Sequence, residues 1–255
     1  MPDPFDLKAK HILVTGASSG LGQHFATFLA GAGARVTLAA RREAALVQTV
    51  GDIRAANGQA HSVVMDVTDA GSIGRAFERA EEGFGPVTVL VNNAGVTATR
   101  AALELDESAW DSVIDTNLKG VWLAAQEAAR RLVRHKLGGS IVNIASILGL
   151  RVAGGLVPYA ISKAGVVQMT KALALEWARY GIRVNALAPG YIETELNSDF
   201  FAGDAGKALI KRIPQRRLGK ASELDGPLLL LASDAGSYMT GSVIAIDGGH
   251  LVSGL

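Results

Sequence analysis

The most constraining feature of this chain is the alternation, over all 255 residues, of short runs of Ile, Val and Leu with longer stretches of helical period. Runs that are apolar on both sides belong to strands buried between two layers of helices, and strands alternating with helices pair in parallel. They predict seven strands, at 11–15, 35–40, 61–66, 88–92, 140–145, 183–188 and 242–246. Right-handed crossovers then put helices on both faces of one doubly wound parallel sheet, the Rossmann-type α/β class. A ligand is expected at the carboxyl ends of the strands, where the strand order reverses. No fixed-period repeat or Pro/Ser-rich linker interrupts the pattern, so residues 1–255 read as a single domain.

Composition narrows the function classes. Lys and Arg number 25 against 24 Asp and Glu, so nothing in the charge balance asks for nucleic acid or an anionic membrane, and a small-molecule partner is expected. Cysteine is absent, which excludes a disulfide framework, a thiolate nucleophile and Cys-ligated zinc. The histidines His11, His24, His61, His135 and His250 lack metal-ligand spacing, and no metal is expected. The start lacks the basic and apolar regions of a secretory signal, and no apolar run approaches the ~20 residues that cross a bilayer; a soluble cytoplasmic protein is the expectation. Residues 194–214 form the longest segment without a strand and carry Phe200 and Phe201. They read either as a mobile lid over a substrate or as a helical hairpin packed on the surface, with the lid favoured.

The first strand runs into Thr15-Gly16-Ala17-Ser18-Ser19-Gly20-Leu21-Gly22. Glycines there let the backbone turn tightly beside a pyrophosphate, and the following helix points unpaired N–H groups and its positive dipole end at the same charge. The second strand ends Ala40-Arg41-Arg42, where an acid would bond the ribose 2′-hydroxyl of NAD. Two guanidiniums suit a 2′-phosphate instead, which favours NADP over NAD. Asp66, followed by Val67, stands where a carboxylate accepts from the exocyclic amine of adenine, or simply starts a turn whose helix is capped by Asp69. The fourth strand ends Asn92-Asn93-Ala94-Gly95, two amides beside a tight turn.

A reductase gives a proton to a carbonyl oxygen as hydride reaches carbon. Free tyrosine, with a pKa of about 10, is a weak acid for that task, and a cation four residues on along one helical face can correct it. Lys163 has that relation to Tyr159. The pair gains weight from Ser146, at the end of a strand upstream, whose hydroxyl can polarise the same carbonyl. Asn117 is a polar residue in an otherwise apolar helical stretch, suited either to a satisfied helix amide or to placing a water for proton relay through Lys163.

These elements, together with Pro189-Gly190-Tyr191-Ile192-Glu193-Thr194 and Ile246-Asp247-Gly248-Gly249, resemble in order and spacing the single-domain branch of the short-chain dehydrogenase/reductase family, from Thr15 to Gly249. The resemblance implies an NAD(P)-binding Rossmann-type catalytic domain that interconverts a ketone and a secondary alcohol. By it Tyr159 is the acid/base, Lys163 binds the nicotinamide ribose and lowers the tyrosine pKa, Ser146 orients the carbonyl and Asn117 completes the relay. Gly16, Ser18, Ser19, Gly20, Leu21, Gly22, Arg41, Asp66, Val67, Asn93, Ala94 and Gly95 would hold the adenosine and pyrophosphate, and Pro189, Gly190, Ile192 and Thr194 the nicotinamide side. A homotetramer is the assembly it implies.

The pocket walls are expected from Ile147, Leu148 and Gly149, from residues 152–157, from Tyr191 and from the 194–214 segment. Most are aliphatic, which suits a small apolar ketone or alcohol better than a sugar acid, for which Arg151 is the lone candidate cation. An alternative is a 3-oxoacyl-carrier-protein or acyl-CoA reductase, for which Arg130, Arg131, Arg134 and Lys136 form a basic cluster that could dock an acidic carrier. Tyr180 stands where such reductases often carry arginine and counts against it. From another class, a non-catalytic NADP(H)-binding regulator would be signalled by loss of Tyr159, Lys163 or Ser146, none of which is lost.

Overall fold

A computed structural model describes residues 3–194 and 198–253. The strands are β1 (His11–Thr15), β2 (Arg35–Ala40), β3 (Gln59–Val64), β4 (Val89–Asn92), β5 (Gly139–Ile144), β6 (Ile182–Pro189) and β7 (Val243–Ile246). Between them run α1 (Gly20–Gly31), α2 (Glu43–Ala55), α3 (Ala70–Phe84), α4 (Glu107–Ile114), α5 (Gly120–His135), α6 (Val157–Trp177), α7 (Ser198–Ala202), α8 (Asp204–Ile210) and α9 (Asp225–Ala232). All strands pair in parallel in one sheet of order β3-β2-β1-β4-β5-β6-β7. The order reverses between β1 and β4, the place where a doubly wound sheet opens a crevice.

Alternation along each strand builds two cores. On β1, Ile12 and Val14 join α1, α2 and α9 on one face, through Phe25, Leu29, Leu46, Ile53 and Leu228. Leu13 faces the other way, toward α3, α5 and α6, with Ile73, Phe77, Leu132 and Leu173. On α3 and α5 apolar residues recur three and four apart, so a buried stripe of each meets the sheet. Asp69 caps α3 by accepting from the Gly71 N–H at 2.8 Å, and Asp106 caps α4 through Ala109 N–H, also at 2.8 Å.

Strand limits differ from the sequence expectation mainly at β3, expected at 61–66 and found at Gln59–Val64. The ladder explains the shift. Gln59 and Ala60 pair with Arg35 and Val36 at the start of β2, so β3 begins where its partner begins, although neither residue is strongly apolar. The segment 194–214 carries two short helices, α7 and α8, and residues 195–197 of it lie outside the described residues. Among the described residues no helix is long and apolar enough to cross a membrane.

Candidate functional site

At the reversal point β1 and β4 are stitched together beyond their last paired residues. The Thr15 hydroxyl accepts from the backbone N–H groups of Asn93 and Ala94, both at 3.0 Å, and the Asn93 side-chain amide donates to the Thr15 carbonyl at 3.1 Å. Asn92, its neighbour, points the other way. It is buried and donates to Asn143 Oδ1 at 3.0 Å, Asn143 donates onward to the Thr170 hydroxyl at 2.9 Å, and strand alternation thus divides the two amides between the crevice and the core.

The turn after β1 uses Gly16 at φ +65 and Gly20 at φ +56, a left-handed backbone that favours glycine. At Gly22 a Cβ would lie 2.3 Å from the Gly16 carbonyl oxygen, so the start of α1 closes directly onto the turn. Ser19 is the N-cap of α1, yet its hydroxyl makes no cap bond, and no acidic residue occupies the first turn. Instead Arg42 donates to Ser19 Oγ at 2.6 Å and to Ser18 Oγ at 3.0 and 3.2 Å. The helix N-terminus therefore keeps its N–H groups and positive dipole end uncompensated beside two hydroxyls and a guanidinium, a built anion site.

A groove of about 570 Å³ runs from this turn past Arg41, Arg42, Asp66 and Val67 to Asn93, Ala94, Gly95, Tyr159 and Thr194. Asp66 Oδ1 accepts from the Thr68 N–H at 2.9 Å and the Thr68 hydroxyl at 2.8 Å. The Thr68 N–H, with help from the hydroxyl and nearby Arg41, holds its carboxyl below the usual carboxylate range. Asp66 thus both starts the turn and faces the groove. Of the two arginines after β2, Arg42 is the one bonded to the serines of the turn. It was visible beside Arg41, but nothing in a dipeptide of arginines tells which one reaches the serines.

The groove continues into a space of about 420 Å³ bounded by Ser146, Tyr159, Lys163, Pro189, Gly190 and Ile192. Ile192 is held by a single parallel bridge to Gly219, which fixes the chain beyond β6. Ser146 stands two residues past the end of β5 and caps a short turn, accepting from the Leu148 N–H at 3.1 Å. Tyr159 and Lys163 lie one turn apart on α6, the ammonium 5.7 Å from the phenol ring centre. Lys163 Nζ donates to the Ile144 carbonyl at 2.8 Å, and burial lowers its pKa to about 8. Burial also pushes the Tyr159 phenol above its ordinary value, while a hydrogen bond with Ser146 pulls it down. The direction is opposite to that expected of a lysine-lowered tyrosine, because burial of the phenol outweighs the hydrogen bond with Ser146. At neutral pH the phenol is protonated, the form able to donate to a carbonyl oxygen.

Asn117 sits in a π-helical turn, Asp115–Lys119, between α4 and α5, a distortion that is rare and concentrated at functional sites. Fully buried, it accepts from the Val96 N–H and donates to the Val96 carbonyl, both at 2.8 Å, and lies 3.3 Å from the Ser162 hydroxyl. Ser162 donates to the Tyr159 carbonyl at 2.7 Å. Asn117 is thus joined to α6 through Ser162, a link the sequence offered only as a serine lying between Tyr159 and Lys163.

Beyond Ser146 and Tyr159 opens a cavity of about 350 Å³ whose apolar walls include Ile147, Leu148, Leu156, Tyr191, Phe200 and Phe201. Thr97 and Thr99 also line it; the loop after β4 had not been expected there. Of the expected wall positions at 149 and 152–157, only Leu156 lines the cavity. Val152 is 82% exposed, and a Cβ on Gly149 would meet the Lys163 backbone at 2.7 Å, so Gly149 packs on α6. Arg151 donates to the His250 carbonyl. While Arg130, Arg134 and Lys136 of the expected basic cluster stay exposed, Arg131 is buried and paired with Glu127 at 2.6 Å and Glu81 at 2.8 Å. Amphipathic spacing had turned it inward, toward α3.

Comparison with known proteins follows this geometry. A family model described as enoyl-(acyl carrier protein) reductase matches residues 16–250. The chain is 39% identical over 246 residues to a 3-oxoacyl-[acyl-carrier-protein] reductase of Thermotoga maritima, covering 96% of this chain and 99% of that one. It is 39% identical over 250 residues to the 2-dehydro-3-deoxy-D-gluconate 5-dehydrogenase of Escherichia coli, covering 97% of each. Among solved structures, a gluconate 5-dehydrogenase from Burkholderia cenocepacia in complex with NADP and tartrate superposes with a TM-score of 0.94 at 34% identity, covering 99% of both chains.

Proposed function

The chain belongs to the short-chain dehydrogenase/reductase family, and from that premise we propose that it is an NADP(H)-dependent oxidoreductase, folded as one catalytic domain, that interconverts a small ketone and its secondary alcohol with Tyr159 as general acid/base. The observation that carries the reading is the position of Ser146, Tyr159 and Lys163 where the nucleotide groove meets the apolar cavity.

The groove suits the dinucleotide on its own chemistry. The uncapped N-terminus of α1, Ser18, Ser19 and the Gly16–Gly22 turn suit the pyrophosphate side. Arg41 and Arg42 suit a 2′-phosphate, Asp66 and Val67 the adenine, and Asn93, Ala94 and Gly95 the adjoining ribose. Pro189, Gly190, Ile192, Thr194 and Lys163 would hold the nicotinamide side. NADP-bound relatives such as the Burkholderia enzyme support the preference for the phosphorylated form. When bound, NADPH supplies the hydride that adds to the carbonyl carbon.

The protein's own residues manage the oxygen. Ser146 and Tyr159 share a hydrogen bond, and both can donate to one carbonyl oxygen, polarising it. Tyr159 then gives up its proton, and the phenolate left behind is stabilised by the Lys163 ammonium, whose charge gains value in a site emptied of water. Asn117, tied to α6 through Ser162, keeps the helix turn bearing Tyr159 in place.

The wall composition supports an apolar ketone. A second reading, a polyhydroxylated acid, is favoured by Thr97 and Thr99 in the cavity and by relatives named as gluconate-type dehydrogenases. An NADPH-coupled screen over aliphatic, cyclic, polyol-derived and acyl-thioester ketones separates these readings, including the carrier-protein substrate named for the Thermotoga relative. Tyr159→Phe should abolish turnover and leave NADPH binding intact; turnover surviving that change refutes the mechanism. The same reading proposes a cytoplasmic homotetramer. Ile161 and Leu175 on α6 and Trp122 on α5 are exposed, apolar surface of the kind subunit contacts cover. Sedimentation of a monomer at micromolar protein would count against it.

A further inference from the structure

The turn that follows β7 lies behind the cavity wall and touches it at several points. Asp247 shapes this turn, its carboxylate accepting from the Gly249 N–H at 2.9 Å and the Leu251 N–H at 2.7 Å. Gly248 and Gly249 follow with φ +63 and +84. A Cβ on them would meet Ile213 at 3.0 Å and Pro214 at 3.2 Å, and the Gln215 N–H donates to the Gly248 carbonyl at 3.2 Å. The chain leaving α8 therefore rests directly on this turn.

His250 comes next, buried with its ring 5.6 Å from that of Tyr191. Tyr191 meets Phe201 edge-on at 5.9 Å, and Phe201 meets Phe200 at 5.1 Å. His250 is thus the inner end of an aromatic ladder whose other three rings all face the cavity. From the opposite side Arg151, just beyond the Ser146 turn, donates to the His250 carbonyl, which also accepts from Ser253 Oγ at 2.8 Å. The wall after β5 and the wall after β6 are tied to one residue that itself does not line the cavity.

We propose that the Arg151–His250 clamp sets the size of substrate the cavity accepts, His250 and Arg151 acting as positioning residues for Tyr191, Phe201 and Phe200. The proposal rests on the ketone-reductase reading for the identity of the substrate, though not for the packing it describes. Aromatic contacts of this geometry hold rings in preferred mutual orientation. Removing the innermost ring leaves a space into which Tyr191 can retract, because cavities of that size relax only in part. The wall then moves away from Tyr159 and Ser146 without touching either. His250 Nδ1 is buried without a hydrogen-bond partner, so phenylalanine there keeps the ring and loses no hydrogen bond at that nitrogen.

Hydrogen exchange and kinetics on the full-length protein test this with His250→Ala and His250→Phe. The alanine variant should exchange about tenfold faster in peptides from 198–213, with those from 20–31 unchanged, and the phenylalanine variant should match the wild type. In parallel, the ratio of kcat/KM for a bulky ketone to that for a small one should rise about tenfold in His250→Ala, the scale on which wall changes alter discrimination, with the KM for NADPH unmoved. Arg151→Met should reproduce the pattern and stands in if His250→Ala does not fold. Unchanged exchange at 198–213, uniformly faster exchange in all peptides, or a phenylalanine variant resembling alanine would each overturn the proposal. A wild type that reduces no ketone sinks the functional reading, while the exchange measurements still decide the clamp.

Discussion

Lys163 carries a charge in a place where the fold resists charge, and replacing it with methionine should make the protein more stable while silencing it. The side chain is 4% exposed, and burial lowers its pKa from 10.5 to about 8. At 1.36 kcal/mol per pH unit, the native state disfavours the ammonium relative to the amine by about 3 kcal/mol. The sign follows from proton counting. Between pH 8 and 10.5 the unfolded chain holds a proton that the folded chain has released, so stability rises with pH across that window, and below pH 8 the full penalty is present. Lys163→Met removes the penalty and also the bond to the Ile144 carbonyl, a loss of about 1 kcal/mol. The net expectation at pH 7 is a gain of about 2 kcal/mol, or roughly 4–8 °C in Tm for a chain of this size. Urea unfolding followed by tryptophan fluorescence, at fixed protein concentration to hold self-association constant, gives the difference at pH 7 and pH 10. The gain should vanish by pH 10, where the folded amine is neutral and the penalty left, about 1 kcal/mol, only offsets the lost hydrogen bond, and kcat should collapse at every pH. A variant less stable than wild type at pH 7, or a gain that does not change with pH, would refute the reasoning.

Three further substitutions examine other parts of the molecule. Arg42→Ala removes the guanidinium bonded to Ser18 and Ser19 and should raise the KM for NADPH about 10- to 100-fold while sparing NADH, as loss of a charged hydrogen bond predicts; equal rises for both cofactors would contradict the phosphate-site assignment. On β1, β2 and β3, His11 Nε2 and His61 Nε2 each lie 2.7 Å from the Thr37 hydroxyl, and His11 Nδ1 donates to the Gly85 carbonyl at 2.7 Å. Burial lowers the His11 pKa to about 4, so below about pH 6.5 the unfolded chain gains a proton the folded one refuses. Stability should fall by about 3 kcal/mol as pH drops from 6.5 to 4, and Thr37→Val should cost about 2 kcal/mol at pH 7 by stranding both imidazoles. A flat urea midpoint between pH 7 and 5, or a neutral Thr37→Val, would contradict this. Arg131→Ala strands Glu81 and Glu127 in a largely buried cluster and should cost about 3 kcal/mol with the KM for NADPH unaltered; a loss below about 1 kcal/mol would show the pair to be solvated.

What could be read from the sequence divides along a physical line. Strand number, the parallel arrangement and the glycine turn are local: each depends on the period or residue type of a short stretch, and the sheet observed has those strands in the order that puts the turn at the reversal point. Tyr159 and Lys163 are likewise set by helical period alone. The rest depends on which partner an element meets. The ends of β3 follow the register of β2, Arg131 faces inward because α3 brings Glu81 to it, and Thr97 and Thr99 reach the cavity because the loop after β4 folds over the strand ends. The pKa directions are of the same kind. A lysine four residues from a tyrosine promises a lowered phenol, but burial is a property of the whole fold, and it raises Tyr159 while weakening the cation meant to help it. The consequence reaches the chemistry. A protonated phenol beside a lysine of pKa about 8 is prepared to donate a proton to a ketone near neutrality. Alcohol oxidation, which needs the phenolate, should therefore gain rate only as pH climbs past the ordinary phenol value of about 10 while reduction gains none, and oxidation that already levels off near pH 8, or parallel rises in both directions, would show that burial does not keep the phenol protonated.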